Sequence, residues 1–212
     1  MNPASADLPL AAATRPRTLI HGVILGGFCL GFGFLLAVTF KLTRDDIAAR
    51  VLEDRQNSLE QVIPAGIHDN NLVADSLLMK DARAREITIY RARKQGKVTG
   101  LAYEIQGYGY SGEIRLMMGV DADGKLLGVR VLAHKETPGL GDKIEVKKGD
   151  WIRRFDGLSL GDPAPERWLV KKDGGQFDQF AGATITPRAV VLAIRGGLDF
   201  FAANKAGLTE AK

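Results

Sequence analysis

The sequence predicts an α+β chain: one N-terminal transmembrane helix and a stalk helix, then an antiparallel sheet with covering helices. Three observations carry this. An uncharged apolar run occupies Gly22 to Phe40, the hydrophobic period switches to two between Glu86 and His134, and a helical period returns after Thr186. The chain has 212 residues, enough for about one globular domain and a tail.

The first element is "GVILGGFCLGFGFLLAVTF". Its 19 residues make roughly 28 Å of helix, close to the ~30 Å hydrocarbon core of a bilayer. A cleaved signal peptide would have a shorter apolar region and a small-x-small site, whereas this run ends in "VTFKLTR". Cys29 sits mid-span as a small packing residue, and a single cysteine supports neither a disulfide framework nor a zinc site. Arg15 and Arg17 precede the span and Lys41 and Arg44 follow it, so the basic residues alone do not orient it. Net charge is +4 with the basic residues dispersed; no dense run interleaved with aromatics points to nucleic acid.

"DDIAARVLEDRQNSLEQVI" places Ile47, Val51, Leu59 and Val62 at near-helical spacing among charges, a stalk helix. "PAGIHDNNL" breaks it, leaving His68 in a surface loop. Four runs of period two follow: "EITIYRARK", "VTGLAYEIQ", "EIRLMMGVD" and "KLLGVRVLAH". The turns between them, "QGK", "GYGYSG" and "ADG", are of hairpin type, so the four strands form a meander. His134 ends the last strand as a structural histidine. A helical stretch is expected over Asp142 to Phe155, interrupted near Lys148-Gly149, and Trp151 and Trp168 read as packing residues. In the final segment Val191, Ile194, Leu198 and Phe201 share one helical face. Gly196 and Gly197 within it each cost about 1 kcal/mol against alanine, which implies a close approach or a bend. The resulting division is a tail over 1–18, a transmembrane helix over 19–41, a stalk and linker over 42–85, and a folded domain over 86–212.

The chemically suggestive stretch is "DQFAGATITPRAVV", Asp178 to Val191. Thr186-Pro187 reads as a helix start, threonine as N-cap and proline at the first helical position. Thr184 then lies just outside the cap, after the small residues Gly182 and Ala183. A helix N-terminus presents unpaired N–H groups and a partial positive charge, and a phosphate held there is stabilised. From the residues alone two readings stand: a decorated helix cap, or a phosphate site. Lys171 and Lys172, just upstream, read as a solvated pair.

Asp178 to Thr184 resembles the flavinylation motif of the FMN-binding domain family, Asp-x-x-Ser/Thr-Gly-Ala-Thr. Ala181 departs from it, standing where the family usually has Ser or Thr. "HKETPGLGDKI", His134 to Ile144, is similar to a second segment of that family, Glu-Thr-Pro-Gly-Leu-Gly. In its longer form, and together with "GYGYSGEIRLMMGVD", it resembles the G-subunit family of the Rnf ion-translocating electron-transport complex. The resemblance covers the anchor and essentially all of the domain.

The resemblance implies FMN joined as a phosphoester to Thr184, delivered from FAD by a flavin transferase. It implies Glu136, Thr137 and Leu140 beside the isoalloxazine ring, Gly182 and Ala183 as cofactor-binding turn residues, and Asp178 in the transferase recognition motif. Residues 86–212 would be the FMN-binding domain. Residues 1–18 would lie in the cytoplasm, and the domain on the periplasmic side of a bacterial inner membrane. The other membrane and redox subunits of the Rnf complex and the lipid bilayer would be its partners. It would carry electrons in a redox-driven ion translocase without being catalytic alone, and no metal or nucleic acid is expected. The alternatives are the related C subunit of the sodium-translocating NADH:quinone reductase and a non-redox, membrane-anchored binding module.

Overall fold

The computed structural model describes residues 18–80 and 84–209. The expected cytoplasmic tail therefore lies, up to residue 17, outside the described residues. Two compact units divide at Arg50 and Val51. In the first, helix α1 begins at Thr18 and carries the apolar run, with Val23, Phe28, Phe34 and Leu36 all exposed. Among the described residues α1 is the one helix long and apolar enough to cross a membrane. It runs on to Glu60 without a break, 43 residues in all, roughly 64 Å at ~1.5 Å per residue. The transmembrane and stalk helices expected separately are thus one element. Near its middle, Thr39 and Thr43 donate their hydroxyls to the carbonyls of Leu35 and Thr39, both at 2.9 Å. This back-bonding lets threonine sit inside a helix without an unpaired hydroxyl.

The second unit is built on a five-stranded antiparallel sheet in the order β1-β2-β3-β4-β5. The four expected strands are β2 (Glu86–Lys94), β3 (Lys97–Tyr108), β4 (Glu113–Asp121) and β5 (Leu126–Ala133). A short edge strand, β1 (Ser76–Lys80), adds to them from the segment expected as linker, pairing Leu77 with Ile89 and Met79 with Ile87. Each face of the sheet buries its own core. Ile89, Tyr103, Leu116 and Met118 face α2 (Ile185–Thr209) and the aromatic segment before it. Tyr90, Ala102 and Met117 face Leu59, Val62 and Ile63 at the end of α1. Burial on both sides is why the middle of β4, Leu116 to Val120, is continuously buried.

The turn that follows α1 fits into a notch between strands. Gly119 and Gly128 are opposite each other on β4 and β5. A Cβ on Gly119 would lie 2.3 Å from the Val62 carbonyl oxygen, so only glycine admits this approach. On the other face, α2 presents the expected stripe: Val191, Ile194, Leu198 and Phe201 are all buried. Of the glycine pair, Gly197 makes the expected close approach: its missing side chain lets the helix pack on Ile105 and Met118, and its carbonyl accepts the Tyr103 hydroxyl at 2.8 Å, whereas a Cβ on Gly196 would meet open space.

The helical stretch expected over Asp142 to Phe155 is broken where expected, around Lys148-Gly149, but its two parts are short 3-10 helices, Asp142–Ile144 and Trp151–Phe155, rather than α-helix. Between them Lys147 to Asp150 are exposed, so no continuous apolar stripe holds a longer helix against the core. Ile144 and the Trp151–Phe155 turn are buried separately. Phe155 stacks on Phe177 with centroids 4.6 Å apart, and Trp168 lies 5.1 Å from Phe177. Both tryptophans are packing residues, as expected: Trp168 is fully buried and donates its indole N–H to the Pro163 carbonyl at 3.1 Å.

Candidate functional site

The start of α2 differs from the sequence expectation by two residues. Ile185 is the first helical residue, and Thr184, not Thr186, is the N-cap: its carbonyl accepts the first helical bond, from Arg188 N, at 3.3 Å. An N-cap hydroxyl ordinarily accepts from the N–H of the second or third helical residue. The third here is Pro187, which has no N–H. No hydrogen bond among the described residues engages the Thr184 hydroxyl. Thr186, expected as the cap, is fully buried in the first turn and donates its hydroxyl to Glu136 Oε2. The cap geometry follows the chain direction set upstream. Gly182 adopts φ 77°, the left-handed region, and Ala183 N donates back to the Phe180 carbonyl at 3.1 Å.

Two further loops meet this turn. In one, Leu140 N and Gly141 N both donate to the Thr137 carbonyl at 3.1 Å, folding "ETPGLG" into a tight curl. In the other, Gly109 N donates to the Gly112 carbonyl at 2.8 Å, closing the β3–β4 hairpin. Together the three loops enclose a cleft of about 340 Å³ lined by Tyr110, Glu136, Thr137, Leu140, Gly141, Gly182, Ala183, Thr184, Ile185 and Thr186. The structure thus brings together Glu136, Thr137, Leu140, Gly182, Ala183 and Thr184, far apart in sequence. Thr186, expected only as a helix cap, and Gly141, from the expected turn, line it as well, and Tyr110 and Ile185 join them without having been singled out. Tyr110 carried a signal: two aromatics in "GYGYSG" exceed what a hairpin turn needs, and Tyr110 is 76% exposed.

Inside the cleft Glu136 is 5% exposed. Its Oε1 accepts the Ser111 N–H at 2.9 Å and its Oε2 accepts the Tyr110 N–H at 3.3 Å as well as the Thr186 hydroxyl. Its carboxylate is therefore taken up by protein donors rather than turned to a ligand. Its own N–H donates to His134 Nδ1 at 3.0 Å, and His134 Nε2 lies 2.9 Å from Glu145 Oε1. A ring nitrogen that accepts a backbone N–H is unprotonated, so Nε2 carries the hydrogen toward Glu145. His134 is satisfied on both sides, the structural role expected of it.

Asp178 is placed outside the cleft. Lys171 Nζ lies 2.5 Å from its Oδ1, and Arg154 bonds its Oδ2. Lys171, and then Arg154, hold the Asp178 carboxyl below the usual carboxylate range. Lys171 and Lys172 are both exposed, as expected, but Lys171 also pairs with the motif, and Arg188, next to Thr184 by its backbone bond, is held by Asp173 in a two-point contact at 2.6 and 2.8 Å. Among the described residues no lysine or arginine lines the cleft. Negative charge at Thr184 would be met by helix N–H groups and the helix dipole instead. Nor, among the described residues, is there a group of three His, Cys, Asp or Glu placed to hold a metal.

Residues 109–199 match the FMN-binding domain family, and residues 14–62 match the RnfG N-terminal region. The G subunit of the ion-translocating oxidoreductase complex of Cereibacter sphaeroides is 52% identical over 194 residues, 92% of this chain and 89% of that protein. The chain belongs to the RnfG family. The corresponding G subunit of Pseudomonas aeruginosa is 47% identical over 202 residues, 92% of this chain and 93% of its own. Membership selects this family over the quinone-reductase alternative that the sequence left open. Among solved structures, Shewanella oneidensis NqrC aligns with a TM-score of 0.48 at 23% identity, over 69% of this chain and 77% of that one. The two family matches map cleanly onto the fold: the N-terminal match is essentially α1, and the FMN-binding match spans all three loops of the cleft.

Proposed function

We propose that this RnfG-family chain carries FMN as a phosphoester on Thr184 and relays electrons within an ion-translocating oxidoreductase complex of the membrane. The observation that carries the reading is the unengaged Thr184 hydroxyl at the N-terminus of α2, opening into a cleft shared with Glu136, Thr137 and Leu140. The residues fit the group. Gly182 at φ 77° and Ala183 leave room beside the hydroxyl, the helix start offers N–H groups to a phosphate, and Leu140 and Tyr110 offer apolar surface to a ring. Bound FMN would supply the redox couple. The polypeptide tethers it, orients it and excludes water from one side.

Asp178, held by Lys171 and Arg154 on the outer surface of the same segment, is open to a flavin transferase that would build the ester from FAD. A tether also has a physical purpose on an extracytoplasmic face, where a dissociable flavin would be lost: it keeps the cofactor at high effective concentration near its redox partners. We place the domain on the periplasmic side of the bacterial inner membrane, with the other components of the complex and the lipid bilayer as partners.

The test is the intact mass of the chain produced together with its flavin transferase. Addition of FMN less one water supports the reading. A chain that stays at its unmodified mass, with no flavin retained after denaturation, returns Thr184 to a helix cap and the protein to a binding module.

A further inference from the structure

Among the described residues Glu136 is the side chain whose hydrogen bonds join all three loops of the cleft, and its environment is made for a carboxylate. Three donors converge on its two oxygens: the N–H groups of Tyr110 and Ser111 and the hydroxyl of Thr186. The first two lie at the β3–β4 hairpin, the third in the first turn of α2. Glycines shape the space around it. A Cβ on Gly109 would meet Glu136 Oε1 at 2.5 Å, and one on Gly141 would meet Glu136 Oε2 and Thr186 Oγ1, both at 2.9 Å. The backbone of Glu136 is held as well, by His134. A buried carboxylate is costly unless such donors satisfy it, so the three bonds hold as a set around the buried Glu136 side chain.

We propose that Glu136 is the positioning residue of the cleft. Its carboxylate locks the Tyr110–Ser111 hairpin tip to the start of α2, and so fixes the Tyr110 wall relative to Thr184. The proposal rests on Thr184 being the flavin-bearing residue. Two physical consequences follow. Opening the lock frees the hairpin tip while the sheet stays intact, because β3 and β4 are paired from Gly100–Asp121 to Tyr108–Glu113 independently of Glu136. It also exposes more of whatever the cleft holds to solvent on the Tyr110 side.

Glutamine is isosteric with glutamate but has one acceptor oxygen and an amide donor, so it cannot accept from all three partners. Valine at 186 removes only the hydroxyl, whereas serine keeps it. The experiment uses the full chain, flavinylated and in detergent, as wild type, Glu136→Gln, Thr186→Val and Thr186→Ser. Three readouts are taken: amide exchange, quenching of the native flavin by iodide, and flavin fluorescence on a denaturing gel. In Glu136→Gln and Thr186→Val, exchange at the hairpin tip should rise by about tenfold, the loss of one charge-assisted bond, with no change at Tyr103 or Met118 in the sheet. Iodide quenching should rise with it, and Thr186→Ser should behave as wild type. Exchange at the tip unchanged in both variants, or raised equally throughout the sheet, overturns the positioning role. A wild-type band without flavin overturns the proposed function and this inference with it. A fluorescent wild-type band with unchanged exchange overturns this inference alone.

Discussion

Thr184 and Thr186 stand two residues apart at the start of one helix, yet only Thr186 is held: its hydroxyl donates to Glu136, while the Thr184 hydroxyl opens unengaged into the cleft. Helical geometry accounts for the difference. Thr184 caps the helix from just outside it, whereas Thr186 lies within its first turn, on the side that meets Glu136.

Thr184→Ala should therefore remove the yellow-green fluorescent band from a denaturing gel, having no oxygen to esterify. Thr184→Ser should keep it. Retention of the band in Thr184→Ala would move the ester to another hydroxyl and sink the assignment.

Leu140 lines the cleft and is 44% exposed, at the rim rather than in the depth. Leu140→Asp sets a charge against the apolar wall, which is costly to desolvate when the cleft is filled. The expected result is a flavin still attached but with a shifted absorption spectrum or potential. A flavin with unchanged content, spectrum and potential would show that the ring lies elsewhere.

Asp178 titrates below its usual range because Lys171, and then Arg154, favour its charged form. A carboxylate depressed in the folded state adds stability above its unfolded pKa of about 3.9 and loses it as pH falls through the lower folded value. Lys171→Ala should move that window upward, toward the unfolded value. The Asp178 side chain is 37% exposed, so the effect on stability is small and the measurement is its own carboxyl titration by NMR. An unchanged titration midpoint in Lys171→Ala would count against the ion pair.

Gly119→Ala puts a methyl against the Val62 carbonyl oxygen at 2.3 Å, a contact that backbone cannot yield to cheaply. Destabilisation of about 1–3 kcal/mol is expected, as for overpacking elsewhere in protein cores. Gly128→Ala, opposite it at 3.3 Å from Val62 Cα, should cost less. Thermal unfolding of the two variants gives the ranking, and equal melting temperatures for Gly119→Ala and wild type would mean that Val62, in the turn after α1, does not sit in the notch.

Much of this architecture was legible in local pattern. The period of two marked four strands within a few residues of their ends, because alternation records which side of a strand is buried. The stripe Val191, Ile194, Leu198 and Phe201 marked the buried face of α2 in the same way. The edge strand β1 escaped because it is five residues long and its burial alternates while its residue types do not: Leu78, between the partly buried Leu77 and Met79, is an exposed apolar residue. Over Asp142 to Phe155 the interruption near Lys148-Gly149 was legible but the helix type was not, because apolar residues at helical spacing look alike whether α-helix or short 3-10 turns bury them.

The sequence by itself determined most of the elements, the membrane run and two short motifs, since each depends on residues within a few positions of one another. Tertiary structure decided which hydroxyl is free and what Glu136 does. That carboxylate meets donors 25, 26 and 50 residues away. Such partners are chosen when the sheet and α2 pack and close the intervening loops, and nothing in the neighbourhood of Glu136 along the chain records them.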